Sequence, residues 1–180
     1  MSQRLEKRTL SEASGCPCDR VLMVAVDGSD QSKWAVQVAC ELARPLRADV
    51  VLVHVMNTDA AASFSEVALT ERELRAALRR RADGVFEAAD SRLAPGVNVH
   101  RILREGDPAK EIVAAAAEWK ANLLVIGTHA RGRVASLLLG STAEAVIRSA
   151  PCPVITVSHD PGAASPPPGP SVIGTASVVR

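Results

Sequence analysis

Arg20–Asp30 reads RVLMVAVDGSD: seven residues of almost unbroken aliphatic character, then a short acidic turn containing one glycine. A continuous rather than alternating apolar run is what a strand covered on both faces requires, because both sets of side chains must leave water. Past the turn the period changes. Ala35, Val38, Ala39 and Leu42 fall at i, i+3, i+4 and i+7 behind the cap candidates Ser29–Ser32, the pattern of an amphipathic helix. A second continuous run, Val50–Met56 (VVLVHVM), follows. A buried strand, a helix and another buried strand make a parallel unit joined by a right-handed crossover.

The same alternation extends through the chain. Val97–Leu103 (VNVHRIL) alternates and suits an edge strand with one wetter face, whereas Leu123–Ile126 (LLVI) is continuous again. Val154–Val157 (VITV) is the last run, reached through Pro151 and Pro153, residues tolerated at a strand entrance. Residues from about Ser65 to Arg92 are rich in Glu, Arg, Ala and Leu and predict a long exposed helix, weakened at Gly84 and Asp90. Ile112, Ala115, Ala116 and Trp119 repeat the helical spacing behind Asp107-Pro108, a cap followed by proline at the first helical position. The last helix opens with Ser141-Thr142-Ala143-Glu144, a capping-box pattern. The order β-α-β-α-β-α-β-α-β predicts an α/β fold: an open, doubly wound, five-stranded parallel sheet with helices on both faces, Rossmann-like. One domain over residues 19–159 suffices. Residues 1–18 are polar and patternless and are expected to form a flexible arm. Residues 160–180 carry five of the eleven prolines and are expected to form a flexible tail outside the domain.

Composition narrows the function classes. Lys+Arg number 21 against 20 Asp+Glu, a net charge of +1 that gives no electrostatic reason to invoke nucleic acid or an anionic membrane. Aromatic residues are 2% of the chain with no Tyr, so the stacking platform of single-strand binders is missing. No apolar run approaches the roughly 20 residues of a membrane helix, and Met1–Arg20 has no apolar segment resembling a secretory signal. Cys16, Cys18, Cys40 and Cys152 lack the paired spacing of a metal site, which fits reduced thiols in the cytoplasm; a redox or metal role for Cys16 and Cys18 is the alternative.

Ligands of such sheets bind beyond the carboxyl ends of the strands. The segments there are Asp27–Asp30, Asn57–Asp59, Arg104–Asp107 and the long loop from Gly127 to Ser141, GTHARGRVASLLLGS. A glycine-bearing loop feeding a helix N-terminus offers unpaired N–H groups to phosphate. The capping box and ordinary turn chemistry explain the same residues, so spacing alone leaves the two readings level. No Gly-Lys-Ser/Thr follows, which excludes a Walker loop, and DGSD is not the Gly-x-Gly-x-x-Gly dinucleotide fingerprint. No Gly-x-Ser-x-Gly elbow is present. Asp27 and Asp30 serve equally well as capping carboxylates. His54 reads as a packing histidine, and His100 and His159 have no partner in view.

Taken together, VAVDGSD, LVHV at Leu52–Val55, EGDPAKEIV at Glu105–Val113 and LLVIGTHARGRVASLLLGSTAEAVIRSAPCPVITV at Leu123–Val157 resemble the universal stress proteins. The resemblance spans Arg20–Val157. It implies strand order 3-2-1-4-5, a homodimer across the last strand and, in one branch, ATP bound in the cleft; another branch binds no nucleotide. The binding branch shares a pattern of Gly, two residues, Gly, nine residues, then Gly-Ser/Thr. By position, Asp27 matches the residue near adenine and ribose, and Val55 the backbone contact to adenine. Gly127, Gly140 and Ser141 match the phosphate positions, with Thr142 continuing the helix start and His129 inside the loop. Ala130 stands where the pattern has its second glycine. A left-handed backbone there costs a non-glycine residue roughly 1–2 kcal/mol. That weakens ATP binding without abolishing it if Arg131, Gly132 and Arg133 compensate. The resemblance implies a cytoplasmic, ATP-binding stress-response regulator. Mg²⁺ would accompany the phosphates, and hydrolysis would be slow at most, because no carboxylate pair or general base stands out. The alternative is a dimeric interaction module without nucleotide, favoured by Ala130. An adenylylating enzyme ranks last, since Asp27–Ser32 holds a single glycine.

Overall fold

Every side chain of the first strand is buried, and those side chains divide between two cores. Leu22 and Val24 join the cluster beneath one pair of helices, while Val21, Met23 and Ala25 join the cluster beneath the other. The computed structural model describes residues 20–57, 70–128, 140–158 and 178–179. In chain order these form β1 (Val21–Ala25), α1 (Asp30–Leu46), β2 (Asp49–Met56), α2 (Glu71–Asp90), β3 (Val99–Glu105), α3 (Pro108–Glu118), β4 (Leu123–Gly127), α4 (Ser141–Ser149), β5 (Val154–Val157) and β6 (Val178–Val179).

The first five strands are parallel in the order β3-β2-β1-β4-β5, as the alternation of strands and helices predicts. The shared register places Val24 of β1 opposite Leu52 of β2 and Val125 of β4. α1 and α2 cover one face through Ala35, Val36, Ala39, Val85 and Ala89, and α3 and α4 cover the other through Ile112, Ala115, Ala116, Ala143 and Val146. β3 is an edge strand and keeps a wetter surface along its length. The start of β1 is tied to β4 by Asn122, whose Oδ1 accepts from Val21 N–H at 2.7 Å. Among the described residues no helix is long and apolar enough to cross a membrane.

Three features differ from the sequence reading. The long helix is capped at Thr70, whose side chain accepts from Glu73 N–H while Glu73 bonds back to Thr70, and it runs unbroken through Gly84. The capping box expected at Ser141–Glu144 does not form: Gly140 is the N-cap, with no side-chain cap bond, and Glu144 pairs with Arg148 at 2.6 Å. Within the segment expected as tail, Val178 and Val179 pair antiparallel with β5 and add a sixth strand. Residues 1–19 and 159–177 lie outside the described residues.

Leu52 is fully buried on β2, an interior strand of the sheet. Leu52→Ala is expected to lower unfolding free energy by about 2–5 kcal/mol, measured by urea titration. A loss under about 1 kcal/mol would contradict the close packing argued here.

Candidate functional site

β2 and β4 both pair with β1, so the connections leave β1 in opposite directions and a crevice opens at its carboxyl end. Its volume is about 360 Å³. Asp27, Val55, Gly127, Gly140, Ser141 and Thr142, drawn from four separate segments, all line it. Of the remaining candidates, His129 and Ala130 lie outside the described residues, with Arg131–Leu139. Ser32, His54, Pro108 and Ile112 also line the crevice and were not read as site residues. Only the strand register could have revealed His54, and only the sheet order could have brought Pro108 and Ile112 beside α4.

The turn after β1 is held by its own side chains. Asp27 Oδ1 accepts from the N–H of Ser29 at 2.9 Å and from its hydroxyl at 2.5 Å. Ser29 is thereby set to cap α1, its Oγ accepting from Ser32 N–H at 3.2 Å. Gly28 adopts φ +85°, and a Cβ there would lie 3.2 Å from Val85 of α2, so this turn requires glycine. Asp27 thus orders the cap rather than capping α1 directly, and it stands exposed at the crevice.

Gly127 and Gly140 carry different burdens. A Cβ on Gly127 would meet the Gln31 carbonyl carbon at 2.8 Å, so glycine here lets the end of β4 pass against the first turn of α1. A Cβ on Gly140 would meet none of the described residues within 4 Å. Gly140 lines the crevice at the start of α4. α1, α2 and α3 each have a side-chain cap, from Ser29, Thr70 and Asp107 respectively, and among the described helices α4 alone has none. Among the described residues no side chain bonds its first N–H groups, and a helix start of that kind attracts anions.

His54 also lines the crevice from β2. Its Nδ1–H donates to Val26 O at 2.7 Å, since the carbonyl can only accept, and Phe86 stands edge-on with ring centroids 6.2 Å apart. Burial pushes the imidazole below its ordinary value of 6.5, with Arg81 adding to the effect; the Val26 bond and Asp27 oppose it. His54 is thus a neutral ring of fixed tautomer. The other histidine in view, His100, approaches Asp49 at 3.5 Å on the opposite end of the sheet. Cys40 and Cys152 are free thiols, and burial pushes the Cys152 thiol up.

Among the described residues no Lys or Arg lines the crevice, and no three His, Cys, Asp or Glu side chains cluster as metal ligands. An anion seated here is met by helix N–H groups and by the Ser141 and Thr142 hydroxyls.

An open, doubly wound α/β sheet with a crevice at its switch point defines a Rossmann-like class of fold. The universal stress protein family profile matches residues 20–158. A universal stress protein from Thermus aquaticus is 36% identical over 142 residues, 77% of this chain and 98% of the relative. The crystal structure of a universal stress protein family member from Burkholderia pseudomallei superposes with a TM-score of 0.60 at 31% identity, over 76% of this chain and 94% of that one. A universal stress protein solved in complex with cAMP superposes with a TM-score of 0.52 at 26% identity, over 78% of this chain and 98% of that one. The chain belongs to the universal stress protein family.

Two substitutions separate packing from binding. Gly127→Ala is expected to destabilise the fold by about 1–3 kcal/mol through the clash with Gln31; an unchanged urea midpoint would contradict that assignment. For His54 the folded value lies below the unfolded one, so the stability tied to it is full above pH 6.5 and is lost as pH falls below that value. His54→Gln should therefore show a smaller loss of stability between pH 7.5 and pH 5 than the parent chain. An equal loss would contradict a neutral buried ring.

Proposed function

We propose that this chain is a cytoplasmic, adenine-nucleotide-binding stress-response regulator that takes ATP in the crevice at the carboxyl ends of β1, β2 and β4. The observation that carries the reading is the uncapped start of α4, opening onto a crevice that also holds Asp27 and Val55. The base and ribose lie toward Asp27 and the Val55 backbone, away from the phosphates that the Asp27 carboxylate would repel. The phosphates lie on Gly140, Ser141 and Thr142, where the N–H donors are. Mg²⁺ enters with the phosphates and shields their charge. The solved relative in complex with cAMP supports an adenine nucleotide as the ligand class.

The neutral, hydrogen-bonded His54 has no role as a general base, and the Asp27 carboxylate is engaged with Ser29. Hydrolysis is accordingly slow at most, and the working output is a nucleotide-dependent surface rather than turnover. Two copies associate as a homodimer through the outer side of β5, the side on which β6 lies.

Gly140→Asp tests the seat directly. The new carboxylate caps α4 and meets no packed neighbour among the described residues, so stability should rise by about 0.5 kcal/mol. The same carboxylate occupies the phosphate position, and Mg-ATP affinity measured by calorimetry should fall at least tenfold. Equal affinity in the two proteins, or no binding by the parent chain at millimolar ATP, would overturn the reading. The second of these results would favour the interaction module without nucleotide.

A further inference from the structure

The two edges of the sheet are protected in different ways. β3 carries His100, Arg101, Arg104 and Glu105 within seven residues, and Arg101 and Arg104 are tied into ion pairs with Asp90 and Glu118. Charged side chains along an edge strand discourage pairing with another chain. β5 reads VITV and has no charge at all. Its backbone orientation follows from two bonds: Pro153 O accepts from Leu124 N–H at 3.0 Å, and Val157 O accepts from Thr128 N–H at 2.9 Å. Odd-numbered residues therefore turn their backbone groups toward β4. Alternation along the strand then turns the N–H and C=O of Val154 and Thr156 outward. On that outer side lies β6, antiparallel, with Val154 opposite Val179 and Ile155 opposite Val178. Two residues thus guard a strand of four.

We propose that β6 is a displaceable guard of the β5 edge, and that the β5 strand of a second copy of this chain displaces it. The edge is self-complementary. An antiparallel two-fold axis through Ile155 sets Val154 opposite Thr156 of the other copy and Thr156 opposite Val154, so every outward backbone group of β5 is paired. That interface has no charge to desolvate and joins two sheets into one. The guard competes because it is tethered to the same chain and so acts at a high effective concentration. Dimerisation and docking of residues 178–179 are mutually exclusive, which makes the C-terminal segment an inhibitor of self-association. The proposal rests on the reading of β5 as the association edge and is independent of nucleotide binding.

Because the groups of Val154 face outward, its pair with Val179 is hydrogen-bonded, and Val179 N–H points at β5. Val179→Pro removes that donor while leaving β5 and its pairing with β4 intact. By sedimentation equilibrium of the full chain, this variant should dimerise with a dissociation constant at least tenfold lower than the parent. Adding Thr156→Pro, which removes an outward donor from β5 itself, should return the protein to monomer. Equal dissociation constants for the parent and Val179→Pro would overturn the guard and leave the association edge standing. Absence of dimer in both would overturn the guard and the association edge together. Undiminished dimerisation of the double variant would overturn the proposal by placing the contact elsewhere.

Discussion

β1 is paired on both sides, by β2 and by β4, and is buried on both faces. From that single constraint the chain has to leave β1 toward one side and later return on the other. No crossover then covers the gap above the carboxyl end of β1, and the turn at Asp27, the end of β4 at Gly127 and the start of α4 are brought around it. The two cores enforce the arrangement, since shifting β1 by one residue would exchange Leu22 and Val24 with Met23 and Ala25 between clusters.

Around that gap, hydrogen bonding separates structure from function. Asp27, Ser29 and Ser32 form a closed local network that fixes the turn and caps α1, and Asp107 caps α3 by accepting from Lys110 N–H at 2.9 Å. These groups satisfy one another without a ligand. α4 breaks the pattern, beginning at a glycine that supplies no side-chain cap. Helix N–H groups that no side chain caps favour an anionic acceptor, which is why the proposed phosphate position falls at this helix start. The glycines of the family pattern thus act for unlike reasons. Gly127 permits β4 to pass α1, and Gly140 starts α4 without a side-chain cap.

Most of the fold was legible because its signals are local. Continuous apolar runs located β1, β2, β4 and β5, and the spacing of Ala35, Val38, Ala39 and Leu42 located α1. The alternating VNVHRIL marked β3 as an edge, as the sheet order shows. The resemblance to the family pointed to six residues that line one crevice, although nothing in their own spacing brings Asp27 and Val55 beside Ser141. The misreadings were of another kind. Ser-Thr-Ala-Glu fits a capping box in sequence, but Glu144 takes Arg148 four residues on as its partner, and the helix starts at Ser141 with Gly140 as its cap. Val178 and Val179 sit beyond a proline-rich stretch, and only the vacancy at the outer side of β5 gives them a partner. His54 read as a packing residue and does pack against Phe86, yet it also lines the crevice, a position set by register and invisible in sequence.

The proposed phosphate position at the first turn of α4 is open to direct measurement. Backbone amide hydrogen exchange at Ser141, Thr142 and Ala143, followed by NMR with and without Mg-ATP, reads those donors one by one. The account predicts that these amides exchange markedly more slowly with nucleotide, while amides in the first turn of α2, already capped by Thr70, do not change. Protection elsewhere in the crevice with Ser141–Ala143 unaffected would contradict it.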